Sequence, residues 1–295
     1  MIVIKLKGGL GNQLFQYAFG LHLSRKTNRE LCLDLSELLN PNLGETQRKY
    51  ELYPYATSAR IISIEELKKL NIIKSALFKN FLSILNIGFN NIRYFKEADF
   101  KEALNLRNRN FNALIFDGYW QKERYLKEVE SVLKKQIQDY DVTNLYAINI
   151  EAHIKRTTSV SLHIRRGDYI SNPRAAKFHS LCSIAYYKSA MEYLCGRLMS
   201  PHFFIFTDDP QWAIQNIPKK YMFTVVSGLG GINHHDELYL MSQCQHNVIS
   251  NSSFSWWGAW LNGNIAKNVI APTIWHKNSN GGETKDLLPN TWITM

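Results

Sequence analysis

The chain has 295 residues, 45% of them hydrophobic and 13% aromatic, which excludes a disordered protein and suffices to bury the cores of two domains. A formal net charge of +10 points to anionic partners without choosing among nucleic acid, a sugar nucleotide and an acidic membrane surface. The basic residues are scattered, with no zinc-finger spacing and no basic helix, which argues against a nucleic-acid binder. Cys32, Cys182, Cys195 and Cys244 have no metal-ligand spacing and fit small core residues of a reduced, cytoplasmic protein.

Met1–Gly9 lacks the form of a signal peptide, and no run of about 18 apolar residues exists to span a bilayer. Met1–Leu6 is a short apolar strand and Lys7–Asn12 a tight glycine turn. Gln13–Thr27 is a helix, because Leu14, Phe15, Tyr17, Ala18, Leu21 and His22 recur at helical spacing. Leu31–Leu35 is a second strand, and Asn40–Tyr55 is polar and irregular. Ser63–Leu70 opens on a capping box, Ser63 with Glu66. The segment Leu67–Lys79 mixes apolar residues with Lys68, Lys69, Lys74 and Lys79, the pattern of an ordinary surface helix more than of a membrane-surface one. Asn71–Phe95 has no clear pattern. Ala113–Phe116 is a strand, followed by a long helix from Glu123 to Gln136.

The polar stretch around 140–157 marks a boundary, giving an N-terminal α/β domain over 1–155 and a C-terminal α/β domain over 156–295, whose extreme C-terminus packs back on the first. Beyond it the strands are Ser159–Ile164, His202–Thr207, Tyr221–Val226, His246–Ser250 and Asn268–Ala271. The helices between them are Ile184–Leu198, Pro210–Gln215, Asp236–Cys244 and Phe254–Asn262. Alternation of strands and helices implies mostly parallel sheets covered on both faces.

Four places along this framework could carry chemistry. His163 and Arg165 share one face of a buried strand as it opens into a loop, with Arg166 directed elsewhere. An arginine fork there suits a diphosphate, and Arg166 could instead pair with Asp168 and fix the loop. Ser250–Ser255 offers hydroxyls and helix-start amides, with Ser252 and Ser253 as phosphate contacts. Gly258 and Ala259 let the following helix approach the sheet, and Trp256, Trp257 and Trp260 are core or interface residues. Asp208 and Asp209 follow a strand; Asp208 is the better ligand candidate and Asp209 the helix cap before Pro210. Gly8, Gly9 and Gly11 let backbone approach a ligand, and the Asn12 amide can donate to a phosphate or sugar oxygen. His234 and His235 lack a three-ligand spacing, Asp236 reads as the cap of its helix, and no metal site is expected.

Gly8–Ala18, His163–Tyr169 and Asn251–Ala259 together, in that order, resemble the bacterial α-1,2-fucosyltransferases, glycosyltransferase family eleven. The likeness runs from Leu6 to Trp275. It implies a GT-B architecture of two Rossmann-like domains facing across a cleft, the N-terminal one on the acceptor side and the C-terminal one binding GDP-fucose. It also implies GDP-β-L-fucose as donor, inverting transfer to the 2-hydroxyl of a terminal β-galactoside, and no cofactor or divalent metal. Within the motifs it implies Arg165 on the diphosphate and His163 beside the nucleotide. Ser252, Ser253 and Phe254 would line the pocket, Asp208 or Asp209 would lie near guanine, and Asn12 would face the reacting sugar. Gly11 and Arg166 join the donor-binding set; Asp168, Trp256 and Trp257 support it. The implied acceptor is a lipopolysaccharide or capsular unit, lipid-linked or free, met in the cytoplasm or at the cytoplasmic face of the inner membrane. A different sugar nucleotide, or a non-catalytic glycan- or nucleotide-binding module, stay open as alternatives.

Overall fold

The computed structural model describes residues 1–39, 47–71, 92–100, 111–167, 181–275 and 282–295. The chain divides into two compact units, Met1–Ile137 and Gln138–Met295.

In the first unit the elements are β1 (Ile2–Lys5), α1 (Leu10–Thr27), β2 (Leu31–Asp34), α2 (Ser36–Leu39), β3 (Arg60–Ile61), α3 (Ile64–Asn71), β4 (Ile92–Lys96), β5 (Ala113–Asp117) and α4 (Glu130–Gln138). The five strands pair in the order β3-β2-β1-β5-β4, all parallel, so β1 is central. α1 lies directly on this sheet: a Cβ at Gly20 would come within 2.6 Å of Ile4 and 2.7 Å of Leu31. Phe19 on the same helix stacks on Trp120 at 4.1 Å, inside a ring cluster with Phe100, Phe116 and Tyr125. Lys68 and Lys69 are exposed on α3, while Leu67 and Leu70 pack inward, the arrangement of a surface helix; residues 72–79 lie outside the described set. The long helix expected from Glu123 instead begins with two short 3-10 turns and becomes α-helical only at Glu130.

The second unit comprises α5 (Leu145–Lys155), β6 (Ser159–Ile164), α6 (Ile184–Cys195), β7 (His202–Thr207), α7 (Pro210–Asn216), β8 (Met222–Val225), α8 (His234–Gln243), β9 (His246–Val248), α9 (Ser253–Leu261), β10 (Val269–Ala271), α10 (Gly282–Leu287) and β11 (Ile293–Thr294). Its parallel sheet runs β8-β7-β6-β9-β10-β11, the strand order of a Rossmann sheet. Every residue of β6 is buried, as expected of a strand covered on both faces. Its apolar face, Val160, Leu162 and Ile164, packs with Tyr187, Met191 and Leu194 of α6.

Two expectations about this unit fail. The polar linker holds α5, whose N-cap Asn144 accepts from the Ala147 N–H at 3.1 Å and whose Glu151 accepts from the Tyr239 hydroxyl at 2.8 Å. α5 therefore belongs to the second unit; only Ala147, Ile150 and Ile154 are buried along it, too few to stand out in a polar stretch. The extreme C-terminus forms edge strand β11 of the second sheet, with the Met295 N–H donating to the Ala271 carbonyl at 3.0 Å. Gly258 also differs from expectation: its close neighbour is not the sheet but Met241 of α8, whose Cβ lies 2.8 Å from where a Gly258 Cβ would sit.

Candidate active site

From β6 the chain steps outward to β7 and β8, then returns to lay β9 on the other side of β6. Ligands of open parallel sheets bind beyond the carboxyl ends of the strands at such a reversal. Here β6 delivers Arg165, Arg166 and Gly167, and β9 delivers Ser250, Asn251 and Ser252. His163 joins the two strand ends, its Nδ1 lying 2.8 Å from the Ser250 Oγ. Burial, and secondarily the Arg165 charge, pull His163 down to about 3, so near neutral pH the ring is an uncharged brace. The Phe254 ring sits 5.7 Å from it.

Asp208, at the end of β7, is the organiser of the arginine loop. Its carboxylate accepts from the Arg166 N–H at 2.8 Å and the Gly167 N–H at 3.0 Å, and pairs with the Arg165 guanidinium at 2.9 Å. A carboxylate so engaged positions Arg165 and the loop that carries it. The Asp209 carboxylate caps α7 through the Trp212 N–H at 3.1 Å and takes the Arg166 Nε at 3.2 Å. Arg166 also lies over the Trp212 ring at 4.1 Å. Arg166 is thus a structural clasp whose partner is Asp209; Asp168 lies outside the described residues.

α9 begins at this crevice. Ser252 is its N-cap yet makes no side-chain cap bond, and Ser252, Ser253 and Phe254 are all half-buried. Trp256 and Trp257 are fully buried, the former donating its Nε1 to the Leu287 carbonyl at 3.0 Å. Glu237 escaped the sequence reading. Burial raises its pKa against an opposing hydrogen bond from Ser227, with Asp208 a further upward influence. Ser227 in turn accepts from the Thr207 N–H at 2.7 Å, so a carboxylate with raised proton affinity stands behind the ends of β7 and β8. Asp236 does not cap its helix as expected: Asn233 does, and Asp236 completes a capping box from the N3 position.

Gly11 and Asn12 belong to the first unit, within the opening turn of α1 rather than in a free loop. Gly8 has φ +75°, and a Cβ there would sit 2.4 Å from the Asn12 Nδ2. The Asn12 Oδ1 accepts from the Gln121 Nε2 at 2.7 Å. Gln13 and Gln16, overlooked in the sequence, are fully buried and tie the glycine turn down. Gln13 donates to the Gly8 carbonyl at 2.9 Å, and Gln16 accepts from the Lys7 N–H at 3.1 Å. Two amides on an otherwise apolar helix face were the available signal, since buried amides need partners.

The family model described as Glycosyl transferase family 11 matches residues 1–295. An alpha-1,2-colitosyltransferase of Escherichia coli is 33% identical, covering 100% of this chain and 99% of that protein. The O-antigen biosynthesis glycosyltransferase WbnK of Escherichia coli is 33% identical over 98% of this chain and 99% of its own length. The Bos taurus galactoside 2-alpha-L-fucosyltransferase SEC1 is 34% identical over 36% of this chain and 29% of its own length.

Proposed function

We propose that this chain, which belongs to glycosyl transferase family 11, transfers L-fucose from GDP-β-L-fucose, with inversion, to the 2-hydroxyl of a terminal β-galactoside of a surface glycan. The observation that carries the reading is the Arg165–Asp208 pair at the β6/β9 reversal, beside the start of α9.

Breaking the C1–O bond leaves negative charge on the diphosphate while the sugar gains oxocarbenium character. The diphosphate is stabilised by Arg165, held in place by Asp208, and by the amide-rich start of α9. Neutral His163 keeps Ser250 and the α9 approach in register without competing for the phosphates. No divalent ion is needed in this scheme; full turnover in excess chelator is its expected outcome, and loss restored only by a specific cation would overturn that part. The acceptor hydroxyl loses its proton late, so a weak base or the leaving phosphate suffices.

A second reading concerns the donor alone. The name of the colitosyltransferase relative favours GDP-colitose, whose sugar is the 3-deoxy counterpart of L-fucose. Both readings keep the diphosphate chemistry and differ only at the sugar's 3-position. Transfer from GDP-fucose and GDP-colitose to Galβ1,3 and Galβ1,4 disaccharides, with the new linkage read by NMR, separates them. Efficient fucosylation at O2 supports the main reading, and exclusive use of GDP-colitose replaces it. A lipid-linked acceptor would bring the enzyme to the cytoplasmic face of the inner membrane; no described helix is long and apolar enough to cross a membrane.

A further inference from the structure

The loop from β9 into α9 is held residue by residue. The Ile249 carbonyl accepts from the Tyr186 hydroxyl at 2.6 Å, and the Ile249 N–H donates to the Ile270 carbonyl of β10 at 2.9 Å. Ser250 meets His163 of β6. Asn251, only 1% exposed, donates its Nδ2 to the Trp275 carbonyl at 3.1 Å and accepts on Oδ1 from the Cys182 thiol at 3.5 Å. Two of these grips, at Ile249 and at Asn251, come from the start of α6.

The start of α9 needs such support. Its N-cap, Ser252, makes no side-chain cap bond, so the local sequence does not fix the helix entry. Amides that stabilise developing charge must be held to within about 0.5 Å of their working position. The start of α6 is itself firmly set. Ser183 caps it by accepting from the Tyr186 N–H at 3.1 Å. Tyr187, the next residue, is buried with Val160, Leu162 and Ile164 of β6, and Cys182 and Tyr186 pack against the same cluster. The position of the β9 loop is thereby referred back to β6, the strand that delivers Arg165.

The protonation of the two side chains suits this task. Burial raises the Cys182 thiol, against the opposing influence of the Asn251 main chain and of Tyr187, so near neutral pH it is an S–H able to donate. Burial likewise lifts the Tyr186 hydroxyl well above its ordinary range and keeps its proton on the Ile249 carbonyl. Neither side chain brings a charge to a site that receives a diphosphate.

We infer that the start of α6 is a positioning element of the donor site: Tyr186, through Ile249, and Cys182, through Asn251, set where the first turn of α9 meets the diphosphate. This rests on the glycosyl-transfer reading above and deepens it, since both residues act through the loop and not on the nucleotide.

The test separates positioning from plain stability. Tyr186→Phe removes one oxygen and keeps the ring. It is expected to raise the GDP dissociation constant, measured by calorimetry, and the GDP-fucose KM roughly fivefold, with acceptor KM held at the wild-type value. The transfer kcat falls as well, because the same amides stabilise the departing diphosphate. Cys182→Ala should raise both donor constants about threefold, the bond from a thiol being the weaker one. Cys182→Ser, whose hydroxyl can still donate to Asn251, should return them to the wild-type values. A purely structural role lowers the thermal unfolding midpoint and leaves the donor constants in place. Donor constants unchanged in Tyr186→Phe and Cys182→Ala, at whatever midpoint, therefore overturn the inference, as does an acceptor KM that rises in step with them. Should Cys182→Ala fail to fold, Tyr186→Phe decides alone. A wild type that binds GDP yet transfers neither fucose nor colitose overturns the proposed function, and the GDP constants then decide the inference by themselves. A wild type that binds no GDP overturns both.

Discussion

At the carboxyl edge of the second sheet a carboxylate, Asp208, holds an arginine; at the same edge of the first, Asp117 holds a lysine. The two pairs have similar lengths and opposite surroundings. Around Arg165 stand a helix start, half-buried serines and a histidine kept neutral by burial. Around Lys7 stand an exposed tyrosine, the Gln16 carboxamide on its backbone N–H and a second donor to the carboxylate. In the first case the carboxylate aims a planar fork whose shape matches phosphate oxygens. In the second, Asp117 spends its acceptor capacity on Lys7 and Tyr94 and leaves a locally neutral floor. An ion pair alone therefore says little about the ligand. What surrounds it decides whether the cation is aimed outward or neutralised in place.

The largest effect that could break this comparison is at Arg165. Arg165→Lys keeps a positive charge but loses the fork, and kcat for transfer should fall roughly 10²–10³-fold with the thermal unfolding midpoint unchanged. A variant that kept most of its turnover would make the two edges equivalent. Next, Asp208→Asn keeps a single acceptor oxygen, so it can hold the Arg166 or the Gly167 N–H but not both, and it no longer pairs ionically with Arg165. A kcat loss of about tenfold is expected, with acceptor KM little changed, measured in the same steady-state assay. At the other edge, Gly8→Ala would place a methyl against the Asn12 amide in a left-handed backbone, for an expected stability loss of about 1–2 kcal/mol in urea unfolding.

The smallest effect concerns His163. The unfolded chain binds a proton on this ring below its ordinary value of 6.5, whereas the folded chain does so only near 3. Its contribution to stability is complete above the unfolded value and is lost as pH falls from there toward the folded one. The slope on that limb is at most about 1.4 kcal/mol per pH unit for one proton. His163→Gln should flatten it, seen as a smaller drop in urea midpoint between about pH 7 and about pH 5. An unaltered slope would assign the acid sensitivity to other groups.

Much of this was legible in the chain. The run from Val160 to Ile164 reads as a buried strand because its apolar residues alternate, and the arginine loop follows from where that strand stops. Asp209 announces itself as a cap through Pro210. The role of Asp208 was not legible: the Arg166 and Gly167 N–H groups and the Arg165 guanidinium, from a loop 41–43 positions away in sequence, converge on one carboxylate, and no local pattern encodes that. β3 and β11 have two residues each, too short for periodicity to register. α5 was hidden by Leu145 and Ile148, apolar residues that stand exposed and blur the stripe. The turn at Asp117–Gln121 looked like an ordinary loop because its distinguishing feature, a left-handed tryptophan fixed by Glu97, is a property of dihedrals and of a distant partner.

The indole of Trp256 reaches from the second turn of α9 to the Leu287 carbonyl, and its ring lies 5.5 Å from that of Trp292. The C-terminal segment is thus a buttress for α9, the helix whose start is proposed to meet the phosphates. Trimming the last ten or so residues would leave Arg165 and Ser252 in the chain yet loosen the ground on which one of them stands, and an inactive truncate of this kind would be mistaken for a missing catalytic group.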